Sequence, residues 1–310
     1  MTKLLAGLRK LVDGERALRA WLIGSLICNM GIIVTGAVVR LTGSGLGCST
    51  WPKCTEESYV PHGASGIHGI IEFGNRTLTF VLIIAALGAF IAAWRNRGLR
   101  TKLWWLTLGI GIGIPFQGVI GGITVLTHLN PFVVALHLLL SVALIVLCVW
   151  SVLIGYRSAP EAVSPPQRWL VIATFAATML ATWVGTIVTG SGPNAGDEKA
   201  VRTGFDIETV AKLHGISAWI TVALVVVTLL AVRGNRRLTR IAGVLLGTIV
   251  LQGAIGYLQY FLGLPPAIVA LHMVGLTLLT AAAAWLLFAC TPAGRVRDAQ
   301  DAPAATVGAN

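Results

Sequence analysis

The sequence predicts an all-α membrane protein with eight transmembrane helices, arranged as two parallel-repeat four-helix bundles. Three observations lead there. Of the 310 residues, 55% are hydrophobic and only 11% are charged, against roughly 25% charged in an ordinary soluble domain. The mean hydropathy is +0.81, too high for a disordered chain, which needs low hydrophobicity. The second half of the chain also repeats landmarks of the first.

A spanning helix needs about 20 mostly apolar residues, and eight stretches qualify: 18–39, 67–94, 103–125, 132–156, 169–188, 210–232, 241–261 and 267–289. The start is not read as a cleavable signal, because residues 1–20 are amphipathic and charged and no short apolar region with a small-residue cleavage site follows. Residues 1–17 are expected to form a cytoplasmic amphipathic segment and 157–168 a cytoplasmic linker. Residues 290–310 are polar and expected to be a disordered cytoplasmic tail. Of the 23 basic residues, 17 fall in one set of connections that includes both termini. Lys and Arg concentrate on the cytoplasmic side, so both termini are expected there, in a cell membrane. Trp21, Trp94, Trp104, Trp105 and Trp169 fall at the same boundary, as an interfacial belt does. The net charge of +11 is therefore an orientation signal; it calls for membrane lipid as a partner and not for nucleic acid.

The repeat is carried by polar landmarks. Thr42-Gly43-Ser44-Gly45 recurs as Thr189-Gly190-Ser191-Gly192, and His68-Gly69-Ile70 as His214-Gly215-Ile216. The stretch from Gln117 to His137 matches that from Gln252 to His272 at 10 of 21 positions without a gap. Each half has an even number of spans, so the halves enter the membrane in the same direction. Units of 18–156 and 169–289 are expected. Four of the six histidines, His68, His137, His214 and His272, fall in spans, on helices running from outside to inside, and are expected at similar depth near the outer face. An ionisable residue in such a place is a functional candidate. Two histidines per half suit the axial positions of a haem, and a four-helix bundle provides the slot. Zinc or copper usually asks for further Cys, His or carboxylate ligands. Glu72 breaks the symmetry: it stands four residues after His68 and four before Arg76, and Ala218 takes the matching place in the second half. Either it forms an ion pair with Arg76 or it works chemically in the first half; the two are compatible. Cys28, Cys148 and Cys290 are read as packing residues.

The segments 36–48 (Gly-Ala-Val-Val-Arg-Leu-Thr-Gly-Ser-Gly-Leu-Gly-Cys), Trp51-Pro52-Lys53-Cys54, Ile71-Glu72-Phe73, 121–126, Ala135-Leu136-His137 and 190–197 resemble the heme A synthase family, in order and spacing, over about residues 20–290. The resemblance implies oxidation of the C8 methyl of haem O to the formyl group of haem A by successive hydroxylations, for delivery to a cytochrome oxidase. It implies a haem b cofactor on His214 and His272, a substrate haem in the first half, and a glutamate, here Glu72, needed for activity. Implied partners are haem O synthase, cytochrome oxidase assembly and an electron donor that the sequence does not name. The family commonly carries Glu-x-x-His-Arg where this chain reads Glu72-Phe73-Gly74-Asn75-Arg76. Asn75 is a poor iron ligand, so His68, seven residues earlier, is expected to join His137 on the substrate iron; otherwise His137 acts alone. The family precedent also favours a Cys48–Cys54 disulfide in the first outer loop, bracing the loop or exchanging electrons with a thiol partner. Arg40 is a candidate for a haem propionate or a phospholipid headgroup; His62 and His128 are read as solvated. The alternative is a dihaem b-type transmembrane electron-transfer cytochrome, which would have symmetric sites and no buried acid.

Overall fold

A computed structural model describes residues 12–97 and 101–290. Eight long helices account for nearly all of them: α1 Gly14–Leu41, α2 Gly66–Arg95, α3 Thr101–Leu126, α4 Pro131–Gly155, α5 Pro165–Ser191, α6 Ile207–Ala231, α7 Arg236–Phe261 and α8 Pro266–Cys290. Each is long and apolar enough to cross a membrane, and among the described residues there is no strand. The chain is a multi-pass membrane protein. Most of the expected N-terminal segment and nearly all of the expected tail lie outside the described residues.

Every helix reaches beyond the apolar stretch that predicts it at one end or both, and polar caps extend the starts of α4, α5, α6 and α7. Asn130 accepts from the amides of Phe132 and Val133, ahead of Pro131. Ser164 and Gln167 form a reciprocal capping box before α5, and Asp206 accepts from Thr209 N at 2.9 Å to start α6. Such side chains satisfy amide donors that a helix start leaves open. The Thr209 bonds hold the Asp206 carboxyl below the usual carboxylate range.

The helices pack in two cycles of four. In one, α1 meets α2, α2 meets α3, α3 meets α4, and α4 returns to α1; in the other, α5, α6, α7 and α8 do the same. The cycles join where α4 packs on α8 and α5, and α1 on α8. Ile33, Val142, Ile145, Val149, Ala284 and Phe288 form that seam, with Trp150 stacked on Phe288 at 5.2 Å between ring centres. Apolar contact of this density is what associates helices where lipid supplies no hydrophobic drive.

At one end of the bundle, the loops after α1 and α5 interlock. Gly45 N donates to Gly196 O at 2.8 Å, and Arg40 Nη1 donates to Asn194 O at 2.7 Å. Residues 48–54 lie at this disulfide end. At the opposite end Arg237 bonds Glu161 at 2.9 Å and Ala159 O at 2.8 Å, while Asn235 Nδ2 donates to Glu161 Oε2 at 2.8 Å. Those two partners hold the Glu161 carboxyl below its ordinary range and tie the α4–α5 connection to the start of α7.

Candidate functional site

In the second cycle, His214 on α6 and His272 on α8 face one another across the bundle. Their ring centres are 6.4 Å apart and their planes cross at 81°. An imidazole–metal bond is about 2 Å and a ring nitrogen lies about 1 Å from its ring centre, so two imidazoles on opposite faces of one iron stand roughly 6 Å apart. His214 Nδ1 lies 3.1 Å from Ala181 O. A carbonyl only accepts, so Nδ1 carries the proton and Nε2 keeps its lone pair. Each ring rests on a helix that comes close for want of a side chain. A Cβ on Gly185 would sit 3.1 Å from His214 Cε1, and one on Gly256 3.5 Å from His272 Cε1.

The first cycle has a comparable histidine on α4. His137 Nδ1 is 3.1 Å from Gln117 Oε1. The Gln117 amide nitrogen donates to His137 O at 3.0 Å and to Ser141 Oγ at 2.6 Å. Its oxygen is therefore the acceptor, His137 donates from Nδ1, and Nε2 is again free. In the second cycle Gln252 Nε2 donates to His272 O at 3.0 Å, while Gln252 Oε1 and His272 Nδ1 are both buried without a partner. That orphaned pair is the same donor and acceptor that bond each other in the first cycle. Both glutamines thus act on the backbone, and Gln117 on the ring, of the histidine 20 residues later. They serve as repeat markers in the sequence; their orienting role was missed there, although their fixed distance from each histidine signals it. The donor set fits an iron taken between two imidazoles. Among the described residues no three His, Cys, Asp or Glu side chains gather as a closed metal cage would require.

Glu72 is buried, 5% exposed. Its Oε1 accepts from Arg76 Nη2 at 2.6 Å and Nε at 3.1 Å, and its Oε2 accepts from Cys48 N at 2.7 Å. Arg76 donates further to Lys53 O at 3.1 Å, Thr50 O at 3.1 Å and Cys48 O at 3.3 Å. Cys48 and Cys54 are joined, S–S 2.05 Å. The disulfide loop therefore wraps its carbonyls around the guanidinium, and the ion pair locks the loop onto α2. Trp51 from the same loop lies against Gly122 of α3, where a Cβ would come within 2.3 Å of the indole.

His68 does not share the depth of His214. It is exposed in the first turn of α2, and its Nδ1 meets Ser44 Oγ at 2.9 Å. His137 and His272 are each the seventh residue of their helices, and His214 is the eighth, whereas His68 is the third. The expectation of four imidazoles at one level is corrected to three. The starts of α2 and α6 are 141 residues apart and their ends 136, so the 146-residue spacing of the two His-Gly-Ile tripeptides matches no register of these helices. The cause is the connection before α2, which is longer than the one before α6 and contains the disulfide loop. His62 and His128 are exposed.

Eight spanning helices that enclose two facing imidazoles, His214 with a free ring nitrogen, define a multi-pass membrane protein carrying a bis-imidazole site inside its bundle. A family model described as cytochrome oxidase assembly protein, COX15-CtaA, matches residues 19–195, more than half of the chain. The chain belongs to that family. A protein named Heme A synthase from Rhizorhabdus wittichii is 26% identical over 321 residues, covering 87% of this chain and 92% of its own length. The Heme A synthase of Listeria welshimeri is 25% identical over 302 residues, covering 92% and 98%. A Protoheme IX farnesyltransferase of Halobacterium salinarum is 29% identical over 124 residues, 39% of this chain and 27% of that protein.

Proposed function

We propose that this chain makes haem A for cytochrome oxidase, by oxidising the C8 methyl of haem O to a formyl group. The observation that carries the reading is the His214–His272 pair, spaced for one iron, in a chain whose full-length relatives are named Heme A synthase. The two cycles of helices support an internal duplication, with the unit 18–156 taking the substrate haem and the unit 169–289 a haem b. That haem b supplies single-electron transfer when bound. His214 would hold its iron through Nε2, because Ala181 O takes the other nitrogen's proton, and His272 would hold it from the facing helix.

In the first cycle, His137 holds the substrate iron, with its ring fixed by Gln117. Glu72 acts at the substrate's edge. Arg76 and the Cys48 amide fix the carboxylate in place, so it can stabilise positive charge that develops as the methyl is oxidised, without moving to do so. Arg40 lies at the interlocked loops and suits a propionate. The basic connections support cytoplasmic termini and haem sites near the outer face, where the disulfide is compatible with an oxidising compartment. The match to a farnesyltransferase supports a haem O-producing partner. A symmetric dihaem electron-transfer cytochrome fits less well, because Glu72 and Arg76 stand three before and one after Asn75, whereas the residues three before and one after His214 are Ala211 and Gly215.

Two preparations supplied with haem O test this reading. The unaltered chain converts it, and Glu72→Ala retains both haems yet converts none. Conversion by the variant would remove Glu72 from the mechanism, and no conversion by the unaltered chain would overturn the function.

A further inference from the structure

Asn75, not His68, stands where His214 stands in the other cycle. The 139-residue spacing from Asn75 to His214 falls between the 141 of the helix starts and the 136 of the helix ends. The contacts agree. Asn75 Oδ1 accepts from Thr35 Oγ1 of α1 at 2.7 Å, and His214 Nδ1 meets Ala181 O of α5 at 3.1 Å. When the Thr-Gly-Ser-Gly landmarks that end α1 and α5 are superposed, Thr35 falls on Thr182, one residue from Ala181. The two side chains therefore lie at one depth against equivalent helices. His68 is seven residues nearer the disulfide end, about 10 Å along the axis at 1.5 Å per residue.

We infer that the first-cycle haem has a single protein ligand, His137, and that Asn75 leaves the opposite face of the iron open to a small exogenous ligand. An amide nitrogen has no lone pair to give iron, and the amide oxygen of Asn75 is engaged by Thr35. The half that is worked upon thereby keeps a coordination position that the bis-imidazole half has filled. The asymmetry between the halves then lies at the iron as well as at Glu72. This inference rests on the reading that the first cycle binds a haem.

The experiment uses the full chain in detergent, loaded by co-expression, reduced with dithionite and titrated with carbon monoxide. Two haems per chain are expected, one low-spin and inert and one high-spin that binds carbon monoxide. Asn75→His should convert the reactive haem to a low-spin form and abolish its carbon monoxide binding. His68→Ala should leave both spectra unchanged. His137→Ala should lose the reactive haem and keep the inert one, which guards against a misfolded Asn75 variant. Two low-spin, inert haems in the unaltered chain, or a spectral change in His68→Ala, would overturn the inference. One haem per chain, with haem O in supply, would overturn the reading beneath it and the inference with it.

Discussion

Replacing Arg76 with methionine removes all five of its hydrogen bonds while keeping much of its apolar stem. Glu72 is then left buried with only the Cys48 amide, and the carbonyls of Cys48, Thr50 and Lys53 lose their common donor. Breaking a buried ion pair by deleting one partner costs about 3–5 kcal/mol. The Arg76 side chain is 22% exposed and that of Glu72 7%, so the lower part of that range, about 3 kcal/mol, is expected. At about 2.1 cal/mol/K of unfolding entropy per residue, 1 kcal/mol moves the midpoint of a 310-residue chain by about 1.5 °C, which gives a drop of roughly 5 °C in thermal unfolding of the purified protein. Adding Glu72→Gln to Arg76→Met should recover a large part of the loss, because no lone carboxylate remains buried. The double-mutant cycle isolates that coupling. An unchanged midpoint in Arg76→Met, or no recovery in the double variant, would refute the claim that the pair locks the disulfide loop to α2.

Other consequences are testable. Gly185→Val places a branched side chain where even a Cβ lies 3.1 Å from His214 Cε1, so the low-spin haem content per chain should fall while the first-cycle haem persists. Gln117→Leu removes the acceptor that fixes the His137 ring, and losing such a partner typically costs about 10–100-fold in metal affinity; haem titration of the first-cycle site should show the loss. The Glu161 carboxyl has a depressed pKa in the folded chain through Asn235 and Arg237. It therefore adds stability above its unfolded value, near 4, and that stability disappears as pH falls through the folded value. Glu161→Gln should flatten the acid side of the stability profile, read as the unfolding midpoint from pH 6 down to 3.

The eight spans were legible because charge is so scarce here that the charged clusters other than the Glu72–Arg76 pair mark boundaries; the caps at Asn130, Ser164, Asp206 and Asn235 account for residues added beyond the apolar runs. The Cys48–Cys54 bond and the Glu72–Arg76 pair were legible too, one through resemblance and the other through helical spacing. The register of α2 was not. A repeated His-Gly-Ile tripeptide gave a false match, since sequence spacing does not reveal how much of a connection is loop. The helix ends, with the Thr35–Asn75 and Ala181–His214 contacts, are what set Asn75 rather than His68 against His214. The histidine–glutamine bond was also hidden, because it joins neighbouring helices through a contact that becomes local only after folding.

The central claim is that the chain turns haem O into haem A. Its most direct test is to co-express the full chain with a haem O-producing farnesyltransferase, extract the haems and separate them by chromatography with mass detection. Haem A together with haem b is the expected result. Haem b and unconverted haem O, with no haem A from a well-folded, haem-loaded chain, would contradict it.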